Sequence, residues 1–362
     1  MRTVQVSLGD RGYPIYIGPG LLASLGRRLA ERCPAPTAAV VSDQNVAAHY
    51  ADRATASLTD AGYRTRLAVV EPGEQSKSLA TASTLYDELA EAGIERTSPV
   101  VSLGGGMVGD LTGFVAGTWL RGVPFIQVPT TLEADVDAAV GGKTAVNHPA
   151  GKNLIGTFHQ PRMVLIDTDT LKTLDLRDLR AGLAESVKHG VIRDAEFFTW
   201  HEQRVQAITD RDQEVLSQLI ERNCRIKADV VAADEREGGL RAILNFGHTI
   251  GHALESDQRY ALRHGECVAI GMVAAARIAV ERDMIAREDA DRIARLLAAL
   301  GLATRLDRPV DLDVLTAFMR KDKKVVRGKL RFVLPTAIGQ VVTVSDVTPD
   351  QIASGVQAIL PV

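Results

Sequence analysis

A short apolar strand that runs directly into three glycines constrains the fold of this chain more than any other feature. Residues 100–103 read Val-Val-Ser-Leu, and Gly104, Gly105 and Gly106 follow before a helical pattern begins. Glycine permits a tight strand-to-helix turn and lets backbone amides approach an anion at the N-terminus of the next helix. Residues 104–109 also satisfy the pattern GxGxxG, which favours dinucleotide binding, although the same glycines could form only a tight turn.

The acidic residue that usually accompanies this glycine pattern is missing. About 20 residues further on, where a carboxylate commonly binds the ribose, the chain reads Pro129-Thr130-Thr131. Asp43, at the end of an earlier predicted strand, could bind the ribose instead.

Strands and helices alternate through the first half of the chain. Apolar strands are predicted at residues 3–8, 13–17, 38–42, 65–70, 100–103, 125–128 and 163–166. Such alternation is typical of a parallel sheet covered on both faces. After residue 176 the pattern is helical, apart from a short basic hairpin-like piece near 321–334. The sequence therefore predicts a Rossmann-like, nucleotide-binding α/β domain over residues 1–176 and an all-helical metal-binding domain over 177–362, with a ligand cleft between them.

Composition excludes several classes of protein. The chain has 362 residues, of which 46% are hydrophobic and 24% charged, so a mostly disordered chain is excluded. The 42 basic and 45 acidic residues give a formal net charge of −3, which provides no overall field for nucleic acid. The three cysteines are far apart, and the longest apolar run, residues 267–276, is too short to span a bilayer. We expect a cytoplasmic protein that binds neither nucleic acid nor a membrane.

Three of the eight histidines lie within residues 248–264. His248 and His252 are four residues apart and would share one face of a helix, and His264 opens the next helix. Two imidazoles and a carboxylate form a good divalent-metal site with an open position for substrate. Glu185, on another predicted helix, is the candidate carboxylate. Spacing leaves open which two histidines would bind the metal, and such histidines could instead cap helices or bridge domains.

Several cationic residues lie beside glycine or polar residues. They include the lysines of residues 141–144, 151–153 and 321–324, together with Lys188, Lys227 and Arg241. Any one lysine could be a solvated surface charge, and residues 137–144 lack the first glycine of a P-loop. In a chain of negative net charge, however, the set favours a small polyanionic substrate. A nicotinamide nucleotide, a divalent metal and an anionic substrate together indicate metal-assisted oxidation of an alcohol.

Long segments of the chain resemble the 3-dehydroquinate synthases of the shikimate pathway. The matching segments are LGGGMVGDLTGFVAGTWLRG at 103–122, FIQVPTT at 125–131, VGGKTAVNHPAGKNLIG at 140–156, LRAGLAESVKHG at 179–190, LNFGHTIGHALE at 244–255 and HGECVAIGM at 264–272. The resemblance implies that NAD oxidises 3-deoxy-D-arabino-heptulosonate 7-phosphate transiently, phosphate leaves, the hydride returns and an intramolecular aldol reaction closes the ring. It also implies a zinc or cobalt ion and a homodimer.

The resemblance further implies three sets of site residues. Those expected to meet NAD are Asp43, Pro72, Gly73, Glu74, Gln75, Ser76, Lys77, Gly106, Met107, Val108, Gly109, Asp110, Thr130, Thr131, Thr170, Leu171, Lys172 and Thr173, with Lys143 and Lys152 near both cofactor and substrate. Those expected to bind the metal are Glu185, His248 and His264, which places His252 on the substrate side. Those expected to contact the substrate are Arg121, Asp137, Asn153, Lys188, Lys227, Arg241, Asn245 and a lysine of the pair Lys323 and Lys324.

Acidic residues after Thr131 depart from the family pattern. Glu133 and Asp135 stand where apolar or neutral residues are usual. Residues 132–140 contain no proline or glycine, so we expect a helix with Glu133 and Asp137 on one face, and a smaller effect of Asp135 on Asp137. Glu133 would either crowd Asp137 or be neutralised by a nearby cation or solvent.

Three alternatives stay open. Another sugar phosphate cyclase, making an inosose or valiolone-type ring, would tend to differ at Asp110 and at residues 141–143. A metal-dependent polyol dehydrogenase would share the architecture but would not need so many phosphate-binding cations. An inactive NAD-binding regulator is disfavoured because Glu185, Lys188 and the histidines are all present.

Overall fold

The computed structural model describes residues 1–258, 261–321 and 330–361. The chain divides into two compact units. The first comprises Met1–Leu174 and Leu216–Ala232, and the second comprises Asp175–Val215 and Ala233–Val362. The segment Leu216–Ala232 falls inside the predicted helical domain of residues 177–362 but clusters with the first unit.

Nine strands lie in the first unit. They are β1 Arg2–Val6, β2 Tyr13–Gly18, β3 Thr37–Asp43, β4 Arg64–Val70, β5 Val100–Gly104, β6 Phe125–Pro129, β7 Lys143–His148, β8 Gly151–Phe158 and β9 Met163–Asp167. Seven of them form one sheet in the order β1-β2-β9-β6-β5-β3-β4, in which only β1 and β2 pair antiparallel. The other two, β7 and β8, form a separate antiparallel hairpin. The predicted α/β architecture is thus confirmed.

Continuous apolar strands explain why the sheet is covered on both sides. Every residue of β3, β5, β6 and β9 is buried, as near-continuous hydrophobic runs predict for parallel strands. The neighbours Val100 and Val101 belong to two different apolar clusters, because successive side chains of a strand point to opposite faces. The helices before residue 120 are α1 Leu25–Arg32, α2 Gln44–Asp60, α3 Leu79–Glu91 and α4 Gly106–Thr118.

Helices dominate the chain after residue 175. They are α5 Leu176–Arg193, α6 Ala195–Glu202, α7 Val205–Thr209, α8 Gln213–Ala233, α9 His248–Asp257, α10 His264–Glu281, α11 Arg287–Ala299, α12 Leu312–Lys321 and α13 Pro349–Gln357. The second unit also contains an antiparallel pair, β10 Phe332–Ala337 and β11 Gln340–Val344, so it is mainly rather than purely helical. Within the described ranges, no helix has the length and apolar character needed to cross a membrane.

Candidate active site

A cluster of histidine and glutamate side chains lies in the second unit. Glu185 lies on α5, His248 and His252 on α9, and His264 opens α10. The centroids of the three imidazole rings are 5.2 to 5.7 Å apart. Glu185 Oε1 lies 3.6 Å from His248 Nε2 and 3.3 Å from His264 Nε2. The structure therefore brings together the four residues from which the sequence predicts a metal site, and we call them the histidine cluster.

Glycines let the three helices approach closely enough to form this cluster. A Cβ atom on Gly271 of α10 would clash with the backbone carbonyl of Gly247, which precedes α9. A Cβ atom on Gly265 would clash with the backbone of Ala181 on α5. Gly247 also has a φ of 79°, in the left-handed region that favours glycine. Close helix packing thus positions the first residues of α9 and α10 near Glu185.

Hydrogen bonds on the outer side of the histidines fix which ring nitrogen faces Glu185. His248 Nδ1 lies 3.0 Å from the carbonyl oxygen of Phe246. His264 Nδ1 lies 2.9 Å from Glu255 Oε1. Because carbonyl and carboxylate oxygens only accept hydrogen bonds, both Nδ1 atoms donate, and each neutral ring presents an Nε2 lone pair on its other side.

The convergence of these groups on one point fits a divalent cation. Two Nε2 lone pairs and the carboxylate oxygen of Glu185 would repel one another without a positive charge between them. Tetrahedral zinc with bonds of about 2.0–2.1 Å separates its ligand atoms by about 3.3 Å. The distances from Glu185 Oε1 to His248 and His264 are 3.6 and 3.3 Å. The donor set and its spacing therefore match the group that the sequence predicts.

Lys188 binds the other oxygen of Glu185. The Lys188 Nζ atom pairs with Glu185 Oε2 one helical turn away, and the two side chains are 1% and 0% exposed. A buried charge is tolerated only when it is paired, so this ion pair holds the carboxylate in one orientation. Glu185 Oε1 is consequently directed toward the histidines.

Arg241 and Asn245 lie on the segment that precedes α9 in the second unit. Arg241 is buried, and its Nη1 atom donates to the carbonyl oxygen of Glu235. Asn245 Nδ2 donates to Glu237 Oε1 at 2.8 Å. Both predicted substrate contacts are thus tied to residues 235–237 of the same unit.

A second polar cluster lies in the first unit and consists of Glu74, Lys77, Asp110, Lys152 and Asn153; we call it the Lys77 cluster. Lys77 Nζ donates to Asp110 Oδ2 and to Asn153 Oδ1, each at 2.5 Å. Lys152 Nζ lies 3.8 Å from Glu74 Oε1. Burial lowers the pKa of Lys77, but the charges of Asp110 and Glu74 outweigh burial and leave that pKa raised. The ammonium group therefore stays charged at neutral pH.

The glycine turn packs against the predicted cofactor threonines. Gly105 is the N-cap of α4, and a Cβ atom there would lie 3.0 Å from Thr131 Cγ2. The Thr130 backbone N–H donates to the carbonyl oxygen of Gly104 at 3.1 Å. Within the described part of the chain, the buried Thr130 Oγ1 has no hydrogen-bond partner. An orphaned buried hydroxyl beside a helix N-terminus fits a site that a polar ligand completes.

Asp43 and residues 170–173, which are also predicted to bind the cofactor, form hydrogen bonds with or near α2. The Asp43 carboxylate caps α2 by accepting hydrogen bonds from two backbone amides of its first turn, at 2.9 and 3.1 Å. The Tyr50 hydroxyl lies 2.6 Å from Thr173 Oγ1 and 3.2 Å from the Thr170 carbonyl oxygen. The turn at Thr168–Lys172 is thereby tied to α2.

The segment after Thr131 differs from the expected α-helix. Residues Ala134–Ala138 form a π-helical turn, in which the Ala139 N–H donates to the Ala134 carbonyl oxygen at 3.0 Å. The wider turn removes the regular spacing that the α-helical expectation assumed for Glu133 and Asp137. Short π-helical segments within helices frequently occur at functional sites.

The side chains of Lys227 and Asp135 are both buried at this π-helical turn. Lys227 of α8 pairs with the Asp137 carboxylate and donates to the Asp137 carbonyl oxygen at 2.5 Å. Asp135 is fully buried, and neither of its carboxylate oxygens has a hydrogen-bond partner among the described residues. Burial, and secondarily the charge of Asp167, raises the pKa of Asp135 well above its usual value. Burial at this position therefore favours the protonated form of Asp135 over the carboxylate.

The remaining predicted substrate contacts are exposed or lie outside the described residues. Arg121 and Lys143 are exposed on the first unit. Arg121 has a φ of 70°, in the left-handed region that is uncommon for a residue other than glycine. Lys323 and Lys324 lie outside the described residues.

Two residues outside the predicted set contact the predicted site directly. Glu255 binds His264 Nδ1, and Asn147 binds both Asn153 and Glu74. A signal was available for Glu255, which lies one turn after His252 on the same helix. No spacing pattern marks Asn147, because its partners come from separate segments.

Comparison with known proteins identifies the family of this chain. Residues 67–181 match the family model described as 3-dehydroquinate synthase N-terminal, and residues 182–325 match 3-dehydroquinate synthase C-terminal. The 3-dehydroquinate synthase of Desulforamulus reducens is 51% identical over 348 residues, covering 96% of this chain and 97% of that protein. That of Symbiobacterium thermophilum is 51% identical over 357 residues, covering 98% and 99%.

Solved structures of related cyclases share the fold. ValA, a 2-epi-5-epi-valiolone synthase from Streptomyces hygroscopicus with NAD+ and Zn2+ bound, has a TM-score of 0.89 at 29% identity, covering 99% of each chain. A 2-deoxy-scyllo-inosose synthase complexed with carbaglucose-6-phosphate, NAD+ and Co2+ has a TM-score of 0.88 at 27% identity, covering 96% of this chain and 95% of that one. Taken with the two family models and the curated relatives, these matches show that the chain belongs to the 3-dehydroquinate synthase family.

Proposed function

We propose that this chain converts 3-deoxy-D-arabino-heptulosonate 7-phosphate to 3-dehydroquinate and phosphate, the reaction of its family. The observation that carries the proposal is the histidine cluster, in which two Nε2 atoms lie 3.3 and 3.6 Å from one buried carboxylate oxygen of Glu185. A chain about half identical to curated 3-dehydroquinate synthases over nearly its full length carries this cluster. Its cofactors are NAD and a divalent metal ion.

The second unit would hold the metal through Glu185, His248 and His264. When bound, NAD would supply a reversible hydride acceptor, and the ion would supply Lewis acidity toward the oxygens of the substrate. Lys188 orients Glu185 from the opposite side, and Glu255 and the Phe246 carbonyl orient the two histidines. His252 would then be available to the substrate.

The first unit would hold the nucleotide. The N-terminus of α4 would bind the pyrophosphate, because its first amide groups have no partner within the helix and carry partial positive charge. Thr130 Oγ1 would complete the site as a hydrogen-bond donor or acceptor. Asp43 would bind the ribose with the carboxylate oxygen that does not cap α2, and residues 72–77 and 170–173 would line the remainder.

The cations would bind the phosphate and carboxylate groups of the substrate. The proposed set is Arg121, Lys143, Lys152, Lys188, Lys227, Arg241 and Lys324, with Asn153, Asn245 and Asp137 as hydrogen-bonding partners. Lys227 neutralises Asp137, so that carboxylate can accept a hydrogen bond from a substrate hydroxyl without repelling the anion. Cations around the leaving phosphate would hold it where its own oxygens can take the proton released in the elimination.

A related sugar phosphate cyclase activity is the second candidate. It is favoured by the TM-scores of 0.89 and 0.88 with two such cyclases, although identity is only 29% and 27%.

We also propose a cytoplasmic homodimer. Sedimentation or light scattering would give twice 38.9 kDa for a dimer and 38.9 kDa for a monomer.

The function is tested by measuring phosphate release and NADH formation with three substrates in parallel. The proposal predicts release from the heptulosonate phosphate only when NAD and zinc or cobalt are present, with 3-dehydroquinate as the carbon product. Preferential release from a sugar phosphate that lacks the carboxylate would indicate the related cyclase activity. Stoichiometric NADH formation from an unphosphorylated polyol would indicate a dehydrogenase instead.

A further inference from the structure

The β7–β8 hairpin is irregular where it carries two proposed substrate contacts. On β7, Val146 and His148 pair with Ile155 and Gly151 of β8. Between these two pairs β7 has one residue, Asn147, whereas β8 has three, residues 152–154. The extra residues remove Lys152 and Asn153 from the regular ladder. Asn153 has a φ of 54°, in the left-handed region. Bulges of this kind re-aim side chains near active sites, and they need another group to satisfy the displaced backbone.

The Asn147 side chain satisfies that backbone and reaches a second segment. Asn147 Oδ1 accepts a hydrogen bond from the Asn153 backbone N–H at 2.9 Å. Asn147 Nδ2 donates to Glu74 Oε1 at 2.8 Å. The Asn147 backbone N–H donates to the Lys77 carbonyl oxygen at 2.8 Å. A single residue thus connects the bulge to residues 74–77.

The two partners fix the orientation of the Asn147 amide. A backbone N–H only donates and a carboxylate only accepts, so the amide oxygen must face Asn153 and the amide nitrogen must face Glu74. Aspartate would keep the acceptor for Asn153 but would place a second carboxylate beside Glu74. Alanine would remove both hydrogen bonds. Both contacts therefore require a side chain of this length that donates and accepts at once.

We propose that Asn147 is a positioning residue that holds the bulge of β8 against the Lys77 cluster. Asn153 is then fixed twice, through its backbone by Asn147 and through its side chain by Lys77 Nζ. Lys152 is carried by the same bulge and lies beside Glu74. The inference rests on the proposed function, because it takes these residues to contact NAD or the substrate.

The test compares Asn147→Asp and Asn147→Ala with a control in the same hairpin. The control is His148→Ala, because the His148 side chain is exposed and accepts a hydrogen bond from the turn amide of Ala150. For both Asn147 variants we expect kcat/KM to fall about tenfold to a hundredfold, the effect typical of misplacing catalytic contacts by an ångström or less. The dissociation constant of NAD, measured without substrate, should also rise. The control should change neither quantity more than about twofold.

A rescue variant separates positioning from general loss of stability. In the Asn147→Asp background, Glu74→Gln supplies the missing donor, so kcat/KM should recover at least about threefold relative to Asn147→Asp alone. Glu74 is also an expected NAD contact and lies beside Lys152, so Glu74→Gln alone is the reference. If Glu74→Gln changes kcat/KM by the same factor in the unaltered chain and in the Asn147→Asp background, the proposed bridge is wrong. Thermal melting of every variant shows whether the hairpin folds, and an Asn147→Ala variant that fails to fold leaves the rescue pair as the deciding measurement.

Failure of this inference and failure of the proposed function give different results. If the unaltered chain does not release phosphate from the heptulosonate phosphate, the proposed function is wrong, but the NAD dissociation constants still test Asn147. If the unaltered chain is active and both Asn147 variants match His148→Ala in kcat/KM and NAD affinity, the inference about Asn147 is wrong.

Discussion

The histidine cluster and the Lys77 cluster are built by different means. Helices α5, α9 and α10 supply the histidine cluster, and two of its histidines are the first residues of their helices. The Lys77 cluster takes its residues from a short turn, from the N-terminal half of α4 and from an irregular hairpin. Helical spacing leaves a pattern in the sequence, whereas segments joined only in three dimensions do not. The comparison explains why spacing predicts one cluster and only family resemblance predicts the other.

The two clusters also differ in how their charges are balanced. In the Lys77 cluster, Lys77 Nζ binds Asp110 and Asn153 directly. In the histidine cluster, Glu185 Oε1 faces two nitrogens whose protons lie on the far side of the rings. Protein groups therefore balance the charges of the first cluster, whereas the second presents a position that a divalent cation would fit. Four predictions test this difference.

Metal removal should have the largest effect. Chelation of the unaltered chain should abolish turnover, and zinc or cobalt should restore it. Glu185→Gln keeps an oxygen for Lys188 but weakens the metal site, so we expect activity to fall at least about a hundredfold, because a bound metal contributes several kcal/mol to such reactions. The control is Glu196→Gln, an exposed carboxylate on α6. Full activity in a demonstrably metal-free sample would contradict the assignment.

Removing the outer partner of His264 should have the next largest effect. Glu255→Gln should weaken metal affinity about tenfold to a hundredfold, as is typical when the group that orients a metal-binding histidine is changed. Competition with a coloured chelator measures this affinity without substrate. Glu281→Gln is the control, because Glu281 is exposed and is the last residue of α10, at the opposite end of the helix from His264. Equal affinities for the two variants would show that Glu255 does not orient His264.

Asp135 should make stability depend on pH. In the unfolded chain its pKa is about 3.9, whereas burial, and then the Asp167 charge, raises the pKa of Asp135 in the folded chain. Above about pH 4 the unfolded state loses this proton while the folded state keeps it, so the free energy of unfolding falls as pH rises. Asp135→Asn should remove this dependence. Urea unfolding at pH 5 and pH 8 should show a stabilisation by Asp135→Asn that is larger at pH 8, and parallel profiles would exclude this account.

Glu133→Leu should have the smallest effect. The charge of Glu133 contributes to the raised pKa of Lys77, so a cation lies close to Glu133, and this supports neutralisation rather than crowding of Asp137. Removing a partly screened charge should change stability by less than about 0.5 kcal/mol. Melting temperature and NAD affinity should therefore move little, or slightly downward at low salt. A clear rise in both would show instead that Glu133 crowds Asp137.

Sequence reasoning succeeded where a local pattern determines structure. The strand at residues 100–103, the glycine turn and the pair His248 and His252 lie where periodicity predicts them. It failed where packing overrides local preference, as at Ala134–Ala138, which forms a π-helical turn instead of an α-helix. It also could not predict the burial of Asp135, since an acidic residue is usually exposed. Leu216–Ala232 joins the first unit through tertiary contacts that no local pattern records.

The most direct test of the account follows phosphate release and NADH absorbance together in one reaction with the heptulosonate phosphate. NAD should be required for turnover, yet NADH should not accumulate, because the hydride that leaves the substrate returns to it before product is released. The account predicts one phosphate per 3-dehydroquinate with no net NADH over many turnovers. One NADH formed for each substrate consumed would contradict it and would establish a dehydrogenase.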